Sequence, residues 1–261
     1  MALKVADSLS ALESLLATSK AASLGFVPTM GALHAGHAAL VKRARAENEE
    51  IVVSIFVNPT QFNDPKDLEK YPRTREADLA LLEKSGATIV WFPRYEELYA
   101  DDYRYKIEET SFSRELCGRS RPGHFAGMLT VVMKLLQIVR PTRAYFGEKD
   151  YQQLELIKGM VKTFFLRTEI VPCPTERDAQ GLALSSRNTR LSEKGIAVAR
   201  AFAAALAKTD EPLDQARREI ASLPLEIDYV EEHFGRRFAA VFVEGVRLID
   251  NRPLQRKEKH S

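Results

Sequence analysis

Two histidines, His34 and His37, lie three residues apart in the string Pro28-Thr29-Met30-Gly31-Ala32-Leu33-His34-Ala35-Gly36-His37. An apolar run ending in Pro-Thr and a glycine turn precede them, and a helical pattern follows. At i and i+3 on a helix, two side chains share one face. A helix start also offers unpaired backbone N–H groups and the positive end of the helix dipole. Such a place suits a nucleoside triphosphate and can stabilise charge as a phosphoanhydride breaks. Spacing alone equally describes two histidines on a helix surface. The preceding strand, the turn and Gly36, which lets a ligand approach closely, favour the site. No Glu stands between the histidines as in a His-Glu-x-x-His metalloprotease helix, and no G-x-x-x-x-G-K-[ST] phosphate loop occurs.

Other strings carry candidate chemistry. In Asn58-Pro59-Thr60-Gln61-Phe62, amides that both donate and accept suit a polar organic substrate, or simply face solvent in a turn. In Gly147-Glu148-Lys149-Asp150-Tyr151-Gln152-Gln153, the glycine permits close approach, Lys149 is a mobile charge for phosphates, and Asp150 could accept from ribose hydroxyls. The alternative there is a helix start that Asp150 caps. Ser185-Ser186-Arg187-Asn188 reads as an anion cradle or as a capping loop before Leu191. In Arg121-Pro122-Gly123-His124-Phe125, Arg121 could neutralise a carboxylate or phosphate and His124 could cap the next helix. Asp78 is one of several acids after Tyr71-Pro72-Arg73-Thr74; it reads as a Mg²⁺ contact or as part of a solvated helix face. No Ser/His/Asp order and no paired carboxylates stand out.

The elements that must position these residues alternate. Helices are expected over 6–19, 36–47, 74–85, 125–139 and from the Lys149 turn to about Phe164. Strands are expected at Leu24–Val27, Ile51–Val57, Thr88–Phe92, Arg143–Phe146 and Thr168–Val171. The continuous β-branched run from Ile51 is the pattern of a strand buried on both faces of a parallel sheet. Gly86 and Pro141 read as helix stops. The alternation predicts an α/β fold, a Rossmann-like doubly wound parallel sheet, with ligands beyond the carboxyl ends of its strands. After about Pro174 the character changes. An alanine-rich helix at 192–208 and strands at Ile227–Val230 and Ala239–Leu248 predict a small C-terminal α+β domain. The expected division is 1–175 and 176–261, with a frayed polar tail from Gln255.

Composition narrows the function classes. With 38 basic and 36 acidic residues the net charge is +2, too balanced to argue for nucleic acid or a membrane surface. The two cysteines, Cys117 and Cys173, form no zinc-ligand spacing or disulfide framework, and read as reduced thiols in a cytoplasmic protein. Met1-Ala2-Leu3-Lys4-Val5 begins no apolar signal segment, and no uncharged run reaches membrane-spanning length.

Taken together, the six strings around Pro28, Asn58, Tyr71, Arg121, Phe146 and Ser185 stand in an order that resembles the pantoate–β-alanine ligase (pantothenate synthetase) family. The resemblance runs from about residue 1 to 190 and returns at Arg247-Leu248-Ile249-Asp250-Asn251. It implies a nucleotidyltransferase-type N-terminal domain that binds nucleotide and pantoate, a small C-terminal lid and a homodimer. It implies ATP-dependent condensation of (R)-pantoate with β-alanine through a pantoyl adenylate, with Mg²⁺, releasing AMP and pyrophosphate.

The resemblance also implies roles. His37, His34 and Lys149 would be the catalytic residues, His37 the usual nominee; the histidines would stabilise the phosphates, with Lys149, Ser185, Ser186 and Arg187 on the triphosphate. Gly147 and Asp150 would hold the ribose, beside Gly31 and Glu148 in the nucleotide set. Met30 would offer its backbone N–H. Gln61 and Gln153 would bind pantoate, joined by Asn58 and Arg121 on the substrate side, and Gln61 would lie near β-alanine. Two nucleotide positions depart from the family pattern: Leu184 stands where Met is usual and Glu176 where Val is usual. Glu176 is harmless if only its backbone meets adenine. Residues 209–246 match poorly. The other readings are a different nucleotidyltransferase of this fold, and a nucleotide-binding protein without turnover.

Overall fold

The computed structural model describes residues 2–255. Of the polar tail expected to fray, residues 256–261 lie outside the described residues. The described residues form two compact units. One comprises residues up to Glu148 together with Gln152–Pro174; the other comprises Lys149–Tyr151 and the chain from Thr175 onward. In chain order the strands are β1 (Lys4–Ala6), β2 (Leu24–Thr29), β3 (Glu50–Ile55), β4 (Ile89–Trp91), β5 (Arg143–Gly147), β6 (Glu169–Cys173), β7 (Glu226–His233), β8 (Arg236–Val243) and β9 (Val246–Pro253). The α-helices are α1 (Leu9–Ala17), α2 (Ala35–Glu47), α3 (Pro65–Glu69), α4 (Arg75–Ser85), α5 (Tyr95–Leu98), α6 (Cys117–Ser120), α7 (His124–Val139), α8 (Tyr151–Thr163), α9 (Glu193–Ala207) and α10 (Leu213–Ala221).

The N-terminal unit is built on a parallel six-stranded sheet of order β1-β4-β3-β2-β5-β6. The expected doubly wound α/β fold is what forms. Strand order reverses between β2 and β5, so the crevice beyond their carboxyl ends is the topological switch point. The histidine string leaves β2 there, and Gly147 ends β5 there. β3 is buried from Ile51 to Val53 because a β-branched run has no polar face to turn outward. Val27, Val53, Val90 and Tyr145 pack with Val41 and Ala44 of α2 and Leu82 of α4 in one cluster.

Several local expectations change. β2 does not stop at Val27 but continues through Pro28 and Thr29, paired with Ser54 and Ile55. A proline is tolerated inside this central strand because β5 pairs only with Gly25 and Phe26, so no ladder N–H is needed opposite Pro28. Ala6, expected to open the first helix, instead ends β1, which pairs with β4, and α1 begins after Ser8, whose hydroxyl accepts the Ala11 N–H at 3.1 Å.

The C-terminal unit is an antiparallel sheet of order β7-β8-β9, with α9 and α10 contributing Phe202, Leu206 and Ile220 to its core. The single strand expected over 239–248 is two strands. They turn at Glu244-Gly245, both at positive φ (51° and 72°), which is the two-residue hairpin geometry. The apolar run on either side hid that turn. Helix α10 had no counterpart in the expected pattern. Among the described residues, no helix is long and apolar enough to cross a membrane. Both cysteines are buried and neither is in a disulfide, and burial pushes the Cys173 thiol up to about 11.

The loop leading to Arg121 is packed without slack. A Cβ on Gly118 would lie 1.7 Å from the Ser113 carbonyl oxygen. Gly118→Ala must therefore displace backbone, and should lower stability by about 3 kcal/mol. A urea-unfolding midpoint equal to that of the parent chain would contradict this packing.

Candidate active site

Within the N-terminal unit, the site begins with a turn that few sequences could adopt. Gly31 and Ala32 both have positive φ, 81° and 50°. An alanine in the left-handed region is strained by about 1–2 kcal/mol. The turn aims consecutive N–H groups inward, and Asp78 meets them: Oδ2 accepts from Ala32 at 3.0 Å and Oδ1 from Leu33 at 2.8 Å. The Thr74 hydroxyl donates to the same Oδ1 at 3.0 Å. Asp78 is 2% exposed. The expectation of a solvated helix face is therefore corrected. As a Mg²⁺ contact it would have only the lone pairs that these three hydrogen bonds leave over.

The turn delivers His34 to the N-cap of α2. His34 Nδ1 accepts the Gly36 N–H at 3.1 Å, and His37 Nδ1 accepts the His34 N–H at 3.3 Å. This is a capping box made of two imidazoles, and the His34 ring also meets the His37 N–H. The helix start is thus not left open, as its sequence suggests. The rings take its donors. A nitrogen that accepts a main-chain N–H carries no proton of its own, so each neutral ring holds its proton on Nε2. The ring centroids are 4.2 Å apart.

Two further strings, those of Asn58 and Arg121, meet around Gln61, which is 8% exposed. Its Nε2 donates to the Met30 Sδ at 2.9 Å, which joins the second string to the first. Its Oε1 accepts from Asn58 Nδ2 at 3.1 Å. Its main-chain carbonyl lies 2.7 Å from His124 Nδ1 and accepts from Arg121 at 3.3 Å. His124 therefore does not cap α7, whose N-cap is Gly123; it holds the Gln61 backbone. Asn58 is 1% exposed, and its Oδ1 accepts from Tyr99 at 2.9 Å and from Thr60 at 3.0 Å. With both ends of its amide engaged, Asn58 orients Gln61. Burial pushes the Tyr99 phenol up to about 12, so it remains a donor to Asn58 across the neutral range. Gly127 of α7 closes the arrangement: a Cβ there would lie 2.3 Å from the Thr60 carbonyl oxygen.

At the end of β5 the space over Gly147 is open, with nothing within 4 Å of a Cβ. Gln153 is partly exposed, with no side-chain hydrogen bond among the described residues. Its neighbour Gln152 was missed as a structural residue. It is buried, accepts from the Cys117 N–H at 3.1 Å and donates to Phe112 and Glu115 carbonyls at 2.8 Å each. Those bonds flank Leu116, held at φ 47° and ψ −119°. Only a sequence signal for strain could have revealed this, and none exists.

The C-terminal unit carries the remaining strings. Lys149 is partly exposed and its side chain has no partner among the described residues; Asp150 is exposed. Ser185 caps the short turn Ser186–Arg190 by accepting the Arg187 N–H at 3.2 Å, as the capping alternative anticipated, and its hydroxyl proton remains able to donate. Leu184 donates its N–H to the Glu176 carbonyl at 2.9 Å. The Glu176 side chain is exposed and not turned inward. Arg177 forms a two-point pair with Asp250 at 2.7 and 2.8 Å, fixing the strand-like pair that carries Glu176 and Leu184.

Removing the Asp78 carboxylate would strand two inward N–H groups beside a strained alanine. Asp78→Ala should cost about 3 kcal/mol or more, since hydrogen bonds to a charged group contribute about 1.5–3 kcal/mol each. Asp78→Asn should cost less, keeping one acceptor. Urea unfolding gives the numbers; a loss under about 1 kcal/mol in the alanine variant would mean that the turn stands without its clamp.

A profile of the pantoate–β-alanine ligase family matches residues 4–253. The chain is 53% identical over 229 residues to a pantothenate synthetase of Bdellovibrio bacteriovorus, covering 88% of this chain and 91% of that one. It is 47% identical over 256 residues to one from Coxiella burnetii, covering 98% and 99%. The crystal structure of a pantoate–β-alanine ligase from Francisella tularensis, complexed with beta-gamma ATP and β-alanine, superposes with a TM-score of 0.91 at 42% identity, covering 97% of this chain and 98% of that one. The pantothenate synthetase of Thermus thermophilus gives 0.88 at 38% identity, covering 95% and 98%. On profile, sequence and fold alike, the chain belongs to the pantoate–β-alanine ligase family.

Proposed function

We propose that the paired imidazoles and the Gln61 cluster of the N-terminal unit run the first half of the reaction of this family. The chain's activity is that of a pantoate–β-alanine ligase: ATP-dependent condensation of (R)-pantoate with β-alanine. A carboxylate oxygen of pantoate attacks the α-phosphorus of ATP, the bond to the β-phosphate oxygen breaks, and pyrophosphate leaves. The β-alanine amine then attacks the acyl carbon of the pantoyl adenylate, AMP departs, and the amine loses a proton. A free carboxylate is a poor acyl donor; the adenylate gives it a leaving group.

The observation that carries the assignment is the orientation of the two rings. Each Nδ1 is used by the main chain, so each Nε2–H is a fixed donor. Two preset donors near one helix start can meet charge that develops on phosphate oxygens without reorganising in the transition state. His37 and His34 are the groups assigned to that task. Lys149, Ser185, Ser186 and Arg187 are assigned to the triphosphate on their chemistry. Gly147, whose open face would be filled by any side chain, and Asp150 are assigned to the ribose, with Gly31, Met30 and Glu148 nearby in the nucleotide set. Glu176 and Leu184 contribute main chain toward adenine. Gln61 and Gln153 are assigned to pantoate, with Arg121 supporting Gln61.

Among the described residues, no group of three or more His, Cys, Asp or Glu side chains could hold a metal ion. Mg²⁺ needs no such cage, since one or two carboxylates and the substrate's phosphates suffice, and Asp78 is the carboxylate assigned to it. A magnesium requirement would be met by an ion carried on the nucleotide phosphates, and no step above runs through it. A homodimer and a cytoplasmic setting follow from the family resemblance and belong to the same proposal.

The deciding assay is pyrophosphate and AMP formation with each substrate omitted in turn. Pyrophosphate release should require pantoate, and AMP turnover should require β-alanine as well. Release indifferent to pantoate would favour another nucleotidyltransferase, and no release would favour a binding protein. His37→Ala should lower adenylation about 10²–10³-fold with its circular dichroism unchanged; near-parental pyrophosphate release would remove His37 from the role.

A further inference from the structure

Lys149–Tyr151 belongs to the C-terminal unit although its chain neighbours Glu148 and Gln152 belong to the N-terminal one. One buried amide bonds this segment to β9. Asn251, on β9, is 2% exposed. Its Nδ2 donates to the Lys149 main-chain carbonyl at 3.0 Å, and its Oδ1 accepts from Arg236 Nε at 2.7 Å. Because an arginine can only donate, the amide oxygen must face Arg236 and the amide nitrogen must face Lys149. The same guanidinium lies 4.3 Å from the centroid of the Tyr151 ring, and Tyr151 meets Phe238 edge-on at 5.9 Å. Asn251 is itself fixed, its N–H donating to Asp250 Oδ1 at 2.7 Å.

Lys149 has no side-chain partner among the described residues, so a flexible four-carbon stem starts from a main chain that is held. The reach of the ammonium is set by where that main chain sits. We propose that Asn251 is the positioning residue for Lys149, 102 residues away in the chain, and that it sets the point from which the ammonium meets the nucleotide phosphates. The inference rests on the assignment of Lys149 to the triphosphate. Asn251 acts through Lys149 and touches no substrate.

A double-mutant cycle tests it, with pantoate-dependent pyrophosphate release followed at varied ATP. Asn251→Ala should lower kcat/KM for ATP about 10- to 100-fold, the scale of a displacement near 1 Å. Lys149→Ala should lower it at least as much. In the Lys149→Ala background, Asn251→Ala should change it by less than about twofold, since the residue it positions is gone. The near-isosteric Asn251→Asp keeps the acceptor for Arg236 and sets an oxygen against the Lys149 carbonyl. It should show the same non-additive loss, and it serves as the second variant if the alanine form folds poorly. Losses that multiply across the cycle would overturn the inference, because Asn251 would then act on the fold at large. An unaffected Lys149→Ala single variant would overturn the triphosphate assignment and this inference with it, and that outcome is read separately in the single variant.

Discussion

The N-terminal site depends on one carboxylate. Two consecutive residues in the left-handed region turn the chain sharply after β2 and leave two N–H groups pointing into the protein. Without acceptors they would be buried and unpaired, at about 1–3 kcal/mol each. Asp78 accepts both, at 3.0 and 2.8 Å. Because that turn is held, His34 falls at the N-cap of α2 and not one residue earlier or later, and His37 follows on the first helical turn. The placement of the imidazoles is therefore set from α4, by the carboxylate that clamps the turn before them.

A common rule links the polar residues of this unit. Each spends its inner atoms on the fold, and what remains is aimed. The two rings use Nδ1 on the main chain, which leaves Nε2 as donor. Gln61 has its main-chain carbonyl held by His124 and Arg121 and its amide oriented by Asn58 and Met30. Preorganisation of this kind means that the donors need not reorient as charge develops. It also explains why the segment Asn58–Gln61 lies so close to α7 that only glycine fits at 127.

The C-terminal unit applies the same rule with charged pairs. Arg177 and Asp250 form a buried two-point contact that joins the 176–184 segment to β9. Arg237, 1% exposed, donates to the Lys208 and Glu211 carbonyls and pairs with Glu232, closing the end of α9. A buried guanidinium is tolerated because all of its sides are used. Such pairs fix register more than they add stability, and register is what the Glu176–Leu184 segment needs.

The alternation of apolar runs with helical patterns was enough to predict the doubly wound sheet, because a strand buried on both faces has no freedom to be anything but apolar. Six ordered strings were enough to place the chain in its family. The sequence also held the residue types of the site, but not their division of labour. Asn58 and Gln61 look alike on paper; burial and the Tyr99 hydroxyl turned one into a support. Asp78 looked like a surface acid, since no local pattern marks a carboxylate that answers N–H groups 45 and 46 residues away. The histidines looked like neighbours of a free helix start, and only the cap geometry decided that the rings themselves occupy it. The hairpin at Glu244-Gly245 vanished inside an apolar run for the reverse reason: local turn chemistry was present but the surrounding pattern outweighed it. Residue type and periodicity are local properties and can be read along the chain; which atom of a polar side chain is spent and which is left is settled by groups far apart in sequence, and so only by the tertiary structure.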